Sequence, residues 1–174
     1  MSMKITDIET IAFRTTTQIR STPWGGLVFT APAETTQTIT RIVTDQGVDG
    51  FMLGGDPAIN ERVMKPLLVG QDPLAREKLW LWMDQLCITR HAMAERDAGI
   101  IDCALWDLYG RLVGLPLYQL LGGGRERVRA YASSFDHLGP PEVYAEQALA
   151  CQALGYTAYK IHPYVFWNPH TDAP

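Results

Sequence analysis

The chain has few cysteines, no long hydrophobic run and no excess of basic charge. Its 174 residues include three cysteines, Cys87, Cys103 and Cys151, odd in number and far apart. That argues against a disulfide framework and for small buried apolar residues in a reducing, cytoplasmic setting. The longest apolar runs fall well short of the roughly 20 residues of a membrane helix. The opening Met-Ser-Met-Lys-Ile-Thr-Asp-Ile-Glu puts charges where the apolar part of a signal peptide would stand. Fifteen Lys and Arg against 19 Asp and Glu give a formal net charge of −4. No basic cluster falls on a predicted face, so neither nucleic acid nor a membrane is expected as a partner. Internal repeats and low-complexity tracts are missing too. What is present is a globular composition, 47% hydrophobic and 20% charged, in a length that suits one domain and part of another.

Residues 97–124 organise the rest. Ala98, Ile101, Leu105, Leu108 and Leu112 recur at steps of three and four and form one apolar helical stripe. Asp97 stands near the start, where a carboxylate suits free N–H groups. Asp107 and Arg111 are one turn apart in the favourable acid-first order. Gly114 can stop the helix in a left-handed conformation and Pro116 prevents it resuming. Leu117, Leu120 and Leu121 make a short apolar turn, and the glycines at 122–124 release the chain.

Ahead of that helix, residues 4–14, 36–44 and 48–53 read as three strands of an antiparallel sheet. The stretch 15–34 between the first two reads as a long loop holding Trp24 and Phe29, either folded over something or solvated. Residues 57–69 read as a helix ending near Lys65-Pro66. Asp72-Pro73 opens another that runs to Leu86, with Leu74, Leu79, Leu81, Trp82 and Leu86 apolar. Together this is an α+β unit. After the glycines the texture changes: a strand at 128–134, a helix at 141–154 and a strand at 157–162, the pattern of a βαβ unit with parallel strands. Such sheets are covered on both faces, and a (β/α)8 barrel needs roughly 200 residues or more, so about a quarter of one fits here. The chain is expected to be the N-terminal part of a longer protein or one partner of an assembly.

Lys160 and His162 are the sharpest chemical candidates. They alternate with Ile161, so both side chains face one side of the strand. They sit at its C-terminal end, where active sites of barrels and open α/β sheets lie. Histidine titrates near neutrality and suits a general base. The alternative is a lysine that extends to solvent and a histidine satisfied in a loop. Asp97, Asp102 and Asp107 are five apart, which spreads them around the helix, so capping and salt bridging explain them better than a metal does. His91, His137 and His170 show no ligand spacing and read as loop residues.

The combination of Ala104-Leu105-Trp106-Asp107, Arg111, Leu115-Pro116-Leu117 and Leu120-Leu121-Gly122-Gly123 resembles the enolase superfamily, in its mandelate racemase and muconate lactonizing branch. The resemblance implies an enolase-like capping domain over residues 1–124, with the first βαβ unit of a (β/α)8 barrel over 125–174. It implies abstraction of the proton α to a carboxylate in a small-molecule substrate, assisted by magnesium. The family's second barrel strand ends in Lys-x-Lys; Lys160 matches the first lysine, and His162 falls on the second, as a departure. The family's three carboxylate metal ligands are expected after Pro174, and none in this chain. The segment with Trp24 and Arg20 matches the substrate-covering loop, and Leu53-Gly54-Gly55 falls near a second. Polar residues in that segment favour a sugar acid as substrate and dehydration as the reaction. A racemase or cycloisomerase, or a non-catalytic fragment packed on a partner chain, are the alternatives. The complete protein is expected to be a cytoplasmic homo-oligomer, and the 174-residue chain alone to be inactive.

Overall fold

The structure, a computed structural model, describes residues 2–21, 27–90, 92–134 and 140–162, without the side chains of 19–21, 27–30 and 90. The chain divides into two compact units, Met1–Thr15 with Thr36–Glu126 and Thr16–Thr35 with Arg127–Pro174.

The three predicted N-terminal strands form one sheet in the order β1 (Ile5–Ser21), β2 (Leu27–Thr44), β3 (Gly50–Leu53). β2 and β3 are antiparallel, with Ile39 opposite Leu53 and Ile42 opposite Gly50. The long loop read at 15–34 is corrected: its described part prolongs both strands, β1 to Ser21 and β2 from Leu27. Thr15, Thr16, Thr17, Thr30 and Thr35 are β-branched, and a sheet ladder satisfies backbone groups that a loop leaves to water. On β2, Thr40, Ile42 and Thr44 alternate on the buried face.

The predicted helix after the sheet does not stop at Pro66. It runs through α1 (Pro57–Ile59), a π-helical turn (Asn60–Met64) and α2 (Lys65–Leu68). Asp56 caps it, accepting from the Ala58 N–H at 2.7 Å. The Lys65 N–H reaches back five residues to the Asn60 carbonyl. This wider turn falls just where Pro66, with no N–H and a bulky ring, would break regular α-helical bonding. Asn60 is buried in the turn; its Nδ2 donates to Thr10 Oγ1 at 2.8 Å and to Thr40 Oγ1 at 3.1 Å. Thr40 Oγ1 in turn donates to the Gly54 carbonyl at 2.9 Å.

α3 (Arg76–Arg90) starts later than Asp72-Pro73 suggests, because those residues form a turn in which Asp72 accepts from the Leu74 N–H at 2.9 Å. Its buried residues are Leu79, Met83 and Cys87, at steps of four, whereas Leu74 and Leu81 are exposed. α4 (Glu95–Val113) follows its predicted stripe: Ala98, Ile101, Leu105 and Leu108 are buried, with Ile100 and Ala104 beside them. Asp97 accepts from the Ala94 N–H at 3.1 Å at its start. Gly114, at φ 70, stops it. α4 packs on β3 and α3 around a core that includes Ile5, Ile42, Met64, Leu79 and Leu105. The approach to β3 is close: a Cβ on Gly50 would overlap the Ala104 carbonyl oxygen and lie 2.7 Å from Leu108 Cβ. α5 (Leu117–Leu120) forms the short apolar turn after Pro116.

Burial is corrected for two of the three cysteines. Cys87 is buried, and burial pushes its thiol pKa up. Cys103 is exposed, off the apolar stripe of α4, and Cys151 is half-buried on the same face of α6 as Tyr144 and Ala148.

In the second unit, β4 (Ala132–Ser133) and β5 (Tyr159–Lys160) are parallel neighbours joined by α6 (Pro141–Ala153). Ala132 stands opposite Tyr159 and Ser133 opposite Lys160. The Ala132 N–H donates to the Ala158 carbonyl at 3.0 Å, and the Ser134 N–H to the Lys160 carbonyl at 2.9 Å. Both strands are shorter than predicted, but their direction and the connecting helix are as the sequence indicates. Arg129 ties the start of the pair, donating to Thr157 Oγ1 at 2.9 Å and to its carbonyl at 3.0 Å.

Candidate active site

The site is built at the C-terminal ends of β4 and β5. Parallel pairing puts these ends side by side, and the pleat puts Ser133 and its partner Lys160 on one face. Lys160 is exposed and His162, two residues on, is half-buried. His162 Nδ1 lies 2.9 Å from the Ser134 carbonyl oxygen and 3.4 Å from Ser133 Oγ. The His162 N–H donates to Ser134 Oγ at 2.7 Å, and Tyr144 on α6 donates its hydroxyl proton to the His162 carbonyl at 2.9 Å. The other face of β5 belongs to the helix: Tyr159 donates to Gln147 Oε1. Burial pushes the Tyr159 hydroxyl pKa up, against the pull of Ser134.

The structure thus brings Lys160 and His162 to one strand end together with Ser133, Ser134 and Tyr144, three residues that sequence reading did not single out. Two adjacent serines closing a predicted strand were the available signal for two of them. Tyr144 gave none, since a tyrosine in an apolar helix reads as packing. Trp24 lies outside the described residues, as do His91, His137 and His170; Arg20 lies on β1, but its side chain is outside the description. Leu53-Gly54-Gly55 is fastened in the first unit: Thr38 Oγ1 donates to the Gly55 carbonyl at 2.8 Å, beside the Thr40–Gly54 bond. A groove of about 510 Å³ runs along α6 and β5 from Ala145 to Tyr159, and its lining includes neither Lys160 nor His162.

Among the described residues no group of three or more His, Cys, Asp or Glu side chains is placed to hold a metal ion. Asp97 caps α4, and Asp107 pairs with Arg111 at 2.8 Å. Asp102 is half-buried; burial raises its pKa, with Arg76 opposing. A magnesium ion therefore finds no ligand set in the described part of this chain. No described helix is long and apolar enough to cross a membrane.

Residues 8–122 match the N-terminal domain of the mandelate racemase / muconate lactonizing enzyme family. The chain belongs to this family. With the parallel pair that follows its capping domain, it is 32% identical to D-glucarate dehydratase from Agrobacterium tumefaciens, a structure complexed with magnesium. That match has a TM-score of 0.86 and covers 93% of this chain and 45% of the other. Among curated proteins, the D-galactonate dehydratase family member RspA of Halomonas elongata is 38% identical over 116 residues, 60% of this chain and 28% of the relative. A D-mannonate dehydratase of a Sphingomonas species is 33% identical over 147 residues, 78% of this chain and 35% of the relative. This family member thus spans less than half the length of the relatives it matches.

Proposed function

We propose that the chain supplies the capping domain, residues 1–124, and the opening barrel segment, residues 125–174, of a sugar acid dehydratase. The reaction removes the proton α to the carboxylate and expels the β-hydroxyl as water, leaving a 2-keto acid. The observation that carries this reading is the placement of Lys160 and His162 at the end of a parallel strand, in a chain of this family whose matched relatives are named for sugar acid dehydration.

In this reading His162 accepts the α-proton, and Lys160, exposed on the same face, offers its charge to the substrate carboxylate. Arg20 and Trp24 contact the substrate from the covering segment. A divalent cation, if held by carboxylates outside the described residues of this chain, would supply neutralisation of the negative charge that develops as the proton leaves. The complete protein is a homo-oligomer in the cytoplasm and acts on a small-molecule carboxylate.

The test is to incubate the complete protein with magnesium and a panel of sugar acids, and to follow 2-keto acid formation. Conversion of one acid with loss of water supports the reading. Epimerised or cyclised product without water loss moves the protein to the racemase or cycloisomerase alternative, and no conversion of any acid contradicts it.

A further inference from the structure

We infer that Ser134 and Tyr144 are positioning residues that hold His162 as its Nδ1–H tautomer, so that Nε2 carries the lone pair. The inference rests on the reading of His162 as the base, and adds which atom takes the proton and what fixes it.

A carbonyl oxygen offers only lone pairs, so a ring nitrogen 2.9 Å from the Ser134 carbonyl must be the donor. That places the single proton of a neutral imidazole on Nδ1 and leaves Nε2 bare. A histidine side chain in water prefers the opposite tautomer, so this placement needs a fixed ring. His162 lies two residues beyond β5, past the last ladder bonds, so the sheet does not fix it. Two side chains replace the ladder there. Ser134 Oγ accepts the His162 N–H at 2.7 Å, and the Tyr144 hydroxyl donates to the His162 carbonyl at 2.9 Å.

The directions of these bonds agree. Ser134 Oγ accepts the His162 N–H, the Tyr144 hydroxyl donates to the His162 carbonyl, and Tyr159 on β5 donates to Gln147 Oε1 of the same helix as Tyr144. The His162 N–H is therefore tied to the residue after β4 and its carbonyl to α6, with the ring against the Ser134 carbonyl. When Nε2 takes up a proton, the Nδ1–H bond to that carbonyl remains, so the cation forms without rearrangement around the ring.

The test is nitrogen-15 NMR of the full chain labelled at histidine, with the His162 signal identified by its loss in His162→Gln. At a pH where His162 is neutral, the expected pattern is a protonated Nδ1 and a bare Nε2. Tyr144→Phe and Ser134→Ala should each shift it to a mixture dominated by Nε2–H, and Ser134→Thr should restore the original pattern. If Ser134→Ala loses the native fold, Tyr144→Phe carries the test, because the phenyl ring keeps the packing. An Nε2–H majority in the unaltered chain overturns the inference. So does an unchanged tautomer in folded Tyr144→Phe. If the tautomer is as expected but His162→Asn still exchanges the substrate α-proton, the base assignment alone is overturned.

Discussion

Asp107 joins the edge of the sheet to the central helix: its Oδ2 accepts the Phe51 N–H from β3 at 2.9 Å and Arg111 Nε from its own helix at 2.8 Å. The Arg111 guanidinium carbon also lies 4.9 Å from the Phe51 ring centroid. One carboxylate therefore satisfies an edge-strand donor and orients a cation over the same residue's ring. Asp107→Ala removes both bonds and leaves the Phe51 N–H to water. The expected loss is about 1.5–3 kcal/mol, the range for hydrogen bonds to charged groups. A urea titration comparing midpoints at constant slope checks it, and Asp107→Asn should recover part of the loss.

The stripe on α4 should dominate stability. Leu105 and Leu108 are fully buried, so truncation to Ala removes transfer energy and leaves a cavity. Each should cost about 2–5 kcal/mol in chemical denaturation. A loss below about 1 kcal/mol at both positions would mean that the site collapses or is not the core.

Gly50 is required by close approach rather than by backbone conformation. Gly50→Ala should force β3 off α4, because the new Cβ meets main-chain atoms of the helix, which cannot rotate away. We expect a destabilisation of about 1–3 kcal/mol, as for other overpacked sites. Gly47→Ala, where a Cβ meets nothing within 4 Å but φ is 73, is the control for backbone strain alone.

Asp102 gives a pH signature of defined sign. Burial, the larger cause, raises its folded pKa, and Arg76 only partly offsets this. A raised carboxylate pKa means the folded state favours the protonated form. The stability it contributes is present below the unfolded pKa and is lost as pH rises through the folded one. Asp102→Asn should therefore raise the melting temperature at neutral pH, with the gain shrinking as the pH falls into the ordinary aspartate range. A gain that is largest in acid would contradict the assignment.

Legibility in the sequence followed the range of the interactions. The α4 stripe, its Gly114 stop, the Asp107–Arg111 pair and the βαβ order could be read because each depends on spacing within one segment. The long arms of β1 and β2 could not: threonine-rich, polar stretches resemble loops until a partner strand pairs with them. The continuation through Pro66 depends on a wider turn that no residue type announces. Asp107 showed its helical partner but not Phe51, which is distant in sequence. At the site, Lys160 and His162 were visible as an alternating pair, whereas Ser134 and Tyr144 become meaningful only when β4, β5 and α6 bring them to His162.

The central claim is that His162 takes the proton from the substrate α-carbon. The most direct measurement is exchange of that proton with deuterated solvent, in the complete protein and in its folded His162→Asn variant, read by proton NMR of the sugar acid that the unaltered protein consumes. The account expects exchange or turnover in the unaltered protein and a loss of at least about 100-fold in the variant, the scale of a missing general base. Exchange at an undiminished rate in the variant would contradict it.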